Sequence, residues 1–146
     1  MATILSERID ELTSGKGSRM IMVVGHGSRL PYNKETVTFQ ADQLTKMGYE
    51  NVRCAFNEFD EPTVESVFNE MISQDVDEII VLPLFISLGA HLKNDIPKKI
   101  RLADWISEDS LVHDGRSITV RYAAPIGSDP RLTDVIAEKI MGRWQA

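Results

Sequence analysis

Apolar positions along this chain alternate between short continuous runs and one-sided helical stripes, and the alternation predicts the fold. Met20 to Val24 and Glu78 to Leu84 read as strands buried on both faces, with Asn51 to Phe56 and Ile118 to Tyr122 as two further strands. Between them, Pro62 to Ser73 carries Val64, Val67, Phe68, Met71 and Ile72 at the i, i+3, i+4, i+7 and i+8 positions of one helical face. Asn33 to Met47 predicts a helix, as does Ile96 to Ile106, which has Pro97 in its first turn. Asp129 to Trp144 predicts the last helix, with Asp129 as N-cap, Pro130 at the first helical position and Leu132, Val135, Ile136, Ile140 and Trp144 on its apolar side. Four successive βα units imply an α/β fold, an open sheet of about four parallel strands with helices on both faces. The polar, Gly-containing stretch Ser107 to Ser117 predicts a mobile loop.

Upstream of this pattern, Thr3 to Thr13 predicts a short helix with Ile4, Leu5, Ile9 and Leu12 on one side. Ser14-Gly15-Lys16-Gly17-Ser18 then reads as a flexible joint. The expected organisation is an N-terminal extension, 1–18, on a single domain, 19–146. Packing against a partner subunit and a purely incidental extension are both open roles for that helix.

With 146 residues, 42 % of them hydrophobic, the chain has enough apolar material for one core. Its formal net charge of -6 argues against a general nucleic-acid or anionic-membrane surface, since those ligands require a basic face. Cys54 is the only cysteine, which excludes an intrachain disulfide and a multi-cysteine zinc site and favours a cytoplasmic setting. Glu7, Arg8, Asp10 and Glu11 interrupt the hydrophobic stretch a signal peptide would need. No apolar run approaches the roughly 20 residues that span a bilayer.

The chemistry lies where strands end. Gly25-His26-Gly27-Ser28-Arg29 closes the first strand and Leu88-Gly89-Ala90-His91 follows the third, and in an open parallel sheet such turns line the ligand crevice. The first turn lacks both G-x-x-x-x-G-K-[ST] and G-x-G-x-x-G, and has His26 where a serine-hydrolase elbow places its nucleophile. Two readings of His26 stay open: a metal ligand or base beside glycines that admit a planar substrate, or a turn-capping histidine. His91 follows the apolar shelf of Leu82 to Leu88, a wall that suits a flat aromatic ligand, against the alternative of a buried hydrophobic loop with a hydrogen-bonded histidine. Glu58, in Phe56-Asn57-Glu58-Phe59-Asp60-Glu61-Pro62-Thr63, is the candidate carboxylate for metal attraction or proton transfer, against the alternative of an exposed loop acid. Asp60 and Glu61 are placed to complement the dipole of the following helix. His113 reads as a surface-loop residue and Cys54 as core.

Taken together, Val-Gly-His-Gly-Ser-Arg at 24–29, Glu-Phe-x-Glu-Pro-Thr at 58–63, Pro-Leu-Phe-x-x-x-Gly-x-His at 83–91, Asp-Ile-Pro at 95–97 and Ala-Pro-Ile-Gly-x-Asp-Pro-Arg-Leu at 124–132 resemble the small archaeal sirohydrochlorin chelatases of the CbiX type. The resemblance runs from about Met20 onward. It implies a chelatase-like, flavodoxin-like α/β fold and insertion of a divalent metal into sirohydrochlorin, with no permanently bound cofactor and Co²⁺ or Ni²⁺ as the substrate metal. Cobalt would lead toward cobalamin, nickel toward coenzyme F430 and iron toward siroheme. A homodimer is implied because longer relatives contain two such domains.

Carried over by position, the resemblance makes His26 the catalytic and metal-binding histidine, His91 the second metal ligand, and Glu58 a substrate-contacting acid. Ile86, Ser87, Leu88, Gly89, Ala90 and His91 would form a substrate-binding loop. Sirohydrochlorin is rich in carboxylates, so Arg29, Lys93 and Arg131 are the cations expected to pair with it. A tetrapyrrole or metal carrier using the same pocket is the competing expectation.

Overall fold

In the computed structural model, the structure describes residues 1–15, 17–84, 96–100, 108–124 and 129–138. In chain order the elements are α1 (Ala2–Leu12), β1 (Arg19–Gly25), α2 (Tyr32–Lys46), β2 (Val52–Phe56), α3 (Val64–Ile72), β3 (Glu78–Pro83), α4 (Ile96–Lys99), β4 (Glu108–His113), β5 (Arg116–Tyr122) and α5 (Pro130–Glu138). The described strands form one five-stranded sheet in the order β2-β1-β3-β5-β4. All neighbours pair in parallel except β4, which lies antiparallel to β5. From β1 the chain moves outward to β2 and then returns to β3 on the other side, so the switch in strand order falls between β1 and β3, where an open α/β sheet forms its crevice.

Alternation of side chains along the strands divides the apolar residues into two cores. Met20, Met22 and Val24 of β1 and Ile79 and Val81 of β3 face α3 and α4, packing with Val67, Phe68, Met71 and Ile96. Ile21 and Val23, with Ile80 and Leu82, face the other way, onto Val37, Ala41 and Leu44 of α2. Helices on both faces explain why β1 and β3 are apolar at nearly every position, whereas β5 alternates buried and partly exposed residues.

Two expectations change. Of the stretch expected as a loop, the described residues from 108 onward are not one: Glu108–His113 and Arg116–Tyr122 form a hairpin, turned by Asp114 and Gly115 at φ of 51° and 75°. Asp-Gly with both central residues left-handed matches the twist of a two-residue hairpin turn, and the polarity of β4 reflects its exposed position at the sheet edge. His113 therefore ends an edge strand, 3.5 Å from Asp114, where a surface loop was expected.

The N-terminal helix is part of the packing. Ile4, Leu5 and Ile9 are buried in the same core as Ile21, Val37 and Leu44. Polar contacts reinforce this: Arg8 donates to Asp129 (3.0 Å) and to the Ala124 carbonyl, and Arg131 reaches Glu7 and Glu11 at 2.7 Å each. In this way α1 is joined both to the segment just after β5 and to the start of α5.

Candidate functional site

At the carboxyl edge of the sheet, the turn after β1 and the turn after β2 are bonded to each other along their backbones. Asn57 N–H donates to Gly25 O (3.0 Å) and Glu58 N–H to His26 O (3.1 Å), extending the β1–β2 pairing past the strand ends. Gly27, at φ +88°, leaves no room for a side chain, because a Cβ there would strike the Glu58 carbonyl oxygen. Its N–H donates to Asn33 Oδ1 (3.0 Å), and Ser28 N–H donates to Asp60 Oδ2 (3.1 Å). The loop is closed at its own base, where Phe56 N–H bonds Pro62 O at 2.9 Å. Thr63 then caps α3 by accepting from Ser66 N–H.

This framework sets His26 against Glu58, with Nδ1 3.6 Å from Oε1. Their side chains are 43 % and 36 % exposed, so solvent or a ligand reaches both. The same Nδ1 lies 3.3 Å from the Gly27 carbonyl. A carboxylate and a carbonyl beside one ring nitrogen orient the imidazole and favour the tautomer in which the other nitrogen coordinates or exchanges protons. On the rim, Arg29 stacks over the ring of Phe59 at 5.1 Å from its centroid. Phe59 is 58 % exposed and held at φ 67°, while Leu30 and Tyr32 are also exposed. A cleft of about 400 Å³ adjoins the turn, lined by Met1, Ser28, Leu30, Tyr32, Asn33, Thr36 and Leu84.

His26, Glu58 and Arg29 thus gather at one edge of the sheet. The remaining expected site residues, Ile86, Ser87, Leu88, Gly89, Ala90, His91 and Lys93, lie outside the described residues. Among the described residues no group of three or more His, Cys, Asp or Glu side chains is arranged to hold a metal. Arg131, expected as a substrate cation, is instead surrounded by Asp129, Glu7 and Glu11. The bonds from Arg131 hold the Asp129 carboxyl well below the usual range, despite its burial. Asp129 is also the expected cap of α5, its Oδ1 accepting from Arg131 N–H at 2.9 Å. Cys54 lies within β2, and burial raises its thiol, which is consistent with a core role.

Several residues that organise the site carry no motif chemistry. Asn33 and Asp60 satisfy backbone N–H groups of the histidine turn, and Lys99 of α4 holds Asn57 by two hydrogen bonds. Asp60 was expected to serve the α3 dipole, and its bond to Ser28 depends on two turns meeting in space.

A five-stranded α/β sheet with an imidazole–carboxylate pair beside its switch point defines a ligand-handling domain of the chelatase-like class. The chain belongs to the CbiX family, whose sequence pattern it matches over residues 20–142. It is 36 % identical to the sirohydrochlorin cobaltochelatase of Methanopyrus kandleri, over 82 % of this chain and 93 % of that protein. It is 35 % identical to the enzyme of the same name from Methanococcoides burtonii, over 83 % of this chain and 93 % of that protein. Among solved structures it resembles a cobalamin-biosynthesis CbiX protein from Marinobacter aquaeolei, with TM-score 0.64 and 29 % identity over 86 % of this chain and 93 % of the other. It also resembles the sirohydrochlorin chelatase SirB of Bacillus subtilis subspecies spizizenii in complex with cobalt, with TM-score 0.64 and 25 % identity over 85 % of this chain. The likeness spans 50 % of the SirB chain.

Proposed function

We propose that this protein is a sirohydrochlorin chelatase that inserts Co²⁺ into the macrocycle, as a step toward cobalamin. The observation that carries the reading is the His26–Glu58 pair, 3.6 Å apart and open to solvent on a turn of the CbiX pattern. Relatives of nearly the same length named sirohydrochlorin cobaltochelatase support the substrate and the ion.

The chemistry asks for two operations. The ion must exchange water and imidazole for four macrocycle nitrogens, and two pyrrole N–H protons must leave as it enters. Neutral imidazole binds Co²⁺ well without holding it as tightly as thiolate sets do. With Nδ1 oriented by Glu58 and the Gly27 carbonyl, His26 presents the ion from Nε2. Glu58 accepts a departing pyrrole proton and passes it to water. His91 supplies the second metal ligand, and residues 86–91 contribute to substrate binding. Arg29 and Lys93 pair with substrate carboxylates, which an acidic protein must meet with local cations.

Ni²⁺ is the second ion within this reading, since the same nitrogen donors accept it. The assembly is a homodimer: a second copy would supply the half of the SirB length that this chain does not span. The setting is the cytoplasm, in keeping with a lone, half-buried Cys54. No helix among the described residues is long and apolar enough to cross a membrane.

The test is anaerobic absorbance of sirohydrochlorin with catalytic protein and Co²⁺, Ni²⁺ or Fe²⁺ in turn, each against a protein-free control. Many turnovers, fastest with Co²⁺, are expected. Product that stops at one equivalent per protomer would make the protein a carrier.

A further inference from the structure

The Asn57–Glu58 peptide unit is gripped at both of its polar ends. Its N–H donates to the His26 carbonyl at 3.1 Å, and its carbonyl oxygen accepts from Lys99 Nζ at 3.0 Å. The same ammonium donates to Asn57 Oδ1 at 2.8 Å and lies 3.7 Å from Glu65 Oε1 in the first turn of α3. Asn57 is only 6 % exposed and the Lys99 side chain 25 %, so these bonds sit largely out of water, where a charge-assisted hydrogen bond is strong and its loss costly.

This peptide carries the Glu58 side chain, and its orientation fixes where the Glu58 Cα–Cβ bond starts. With the N–H held by His26 and the C=O held by Lys99, the peptide plane cannot rotate without breaking a bond at one end. Three elements therefore meet on one ammonium: the β2 turn, α3 and α4. The Lys99 ammonium donates two hydrogen bonds to Asn57 and faces the Glu65 carboxylate as an ion pair.

From this arrangement we propose that Lys99 is a positioning residue for metal insertion, acting through Asn57 to hold Glu58 within reach of His26. The inference rests on the reading above in which Glu58 takes part in proton removal. Lys99 touches neither substrate nor metal; it removes the freedom of the peptide from which the carboxylate projects. Misplacement of a reacting group by about 1 Å is enough to cost a large factor in rate, so the effect belongs in kcat and not in substrate affinity.

The experiment is a double-mutant cycle on the full chain with Co²⁺ and sirohydrochlorin, pairing Lys99→Met with Glu58→Gln. Lys99→Met is expected to lower kcat about tenfold with the KM for sirohydrochlorin unchanged. Lys99→Arg, which keeps charged donors, should recover most of that loss. In the Glu58→Gln background, Lys99→Met should cause no further loss, because the group it positions is already disabled. Wild-type kcat in Lys99→Met would overturn the inference, as would an equal, multiplicative loss in both backgrounds. Should Lys99→Met not fold, Lys99→Gln carries the same comparison, since it keeps an N–H donor but not the charge. Unchanged kcat in Glu58→Gln alone would instead strike at the role given to Glu58, a failure distinguishable from that of Lys99.

Discussion

Glu58, two residues past the end of β2, and Glu78, the first residue of β3, are carboxylates at opposite ends of the parallel strands of one sheet. Glu78 is 3 % exposed and surrounded by donors: Thr13 Oγ1, Ser14 N–H at 3.2 Å and Arg121 Nε at 3.2 Å. Burial alone would raise its pKa, but the bonds from Thr13, Ser14 and Arg121 together outweigh that and leave it lowered. Glu58 stays 36 % exposed and faces an imidazole. A carboxylate ringed by buried donors joins elements, here the end of α1 to the sheet; one left open beside a histidine retains lone pairs for a substrate. The contrast separates structural from chemical acids without reference to any motif.

The largest expected effect falls on the amino edge. Glu78→Gln removes a buried charge that Arg121 and Thr13 were arranged to meet, and should cost about 2 kcal/mol of stability, read by urea unfolding at pH 7. The pH dependence has a definite sign. A lowered folded pKa means that Glu78 contributes stability above the ordinary glutamate range, about 4.3, and loses it as the pH falls toward the folded value. The gap between wild type and Glu78→Gln should therefore narrow below about pH 4. Asp129, lowered chiefly by Arg131, adds to acid unfolding in the same direction. A gap that stays constant from pH 7 to pH 3 would show that the charge of Glu78 is not what matters there.

A smaller effect is expected at the rim of the carboxyl edge. Arg29 is stacked on exposed Phe59 and joins no ion pair recorded among the described residues. Arg29→Ala should raise the KM for sirohydrochlorin about fivefold at low salt, as expected for about 1 kcal/mol of partly exposed charge pairing, and leave kcat nearly unchanged. The difference should shrink as salt is added. An unaltered KM at low ionic strength would remove Arg29 from the binding surface and leave it as a partner of Phe59.

The same contrast explains what was legible in the amino-acid sequence. Strands β1 and β3 and helix α3 could be read because burial on both faces, or on one helical stripe, leaves a plain apolar pattern. His26 and Glu58 could be marked because glycines and acids cluster where β1 and β2 end. The β4–β5 hairpin was hidden because an edge strand open to solvent has no apolar rhythm, and only Asp114-Gly115 signalled the turn. The burial of α1 depends on a groove built by residues far along the chain, and its ion pairs with Asp129 and Arg131 cross more than a hundred residues. Lys99 and Asn57 were invisible for a related reason: a lysine bonding a backbone carbonyl leaves no spacing rule to find it by.

The central claim is that the imidazole on the β1 turn handles the metal. Its most direct test is steady-state cobalt insertion by His26→Ala beside wild type, with thermal unfolding of both. Because His26 is 43 % exposed and the hydrogen bond from Glu58 N–H to its backbone carbonyl survives the substitution, the unfolding temperature should be preserved. The account predicts that kcat falls by about 100-fold or more in a protein that remains folded. Undiminished turnover in folded His26→Ala would contradict it.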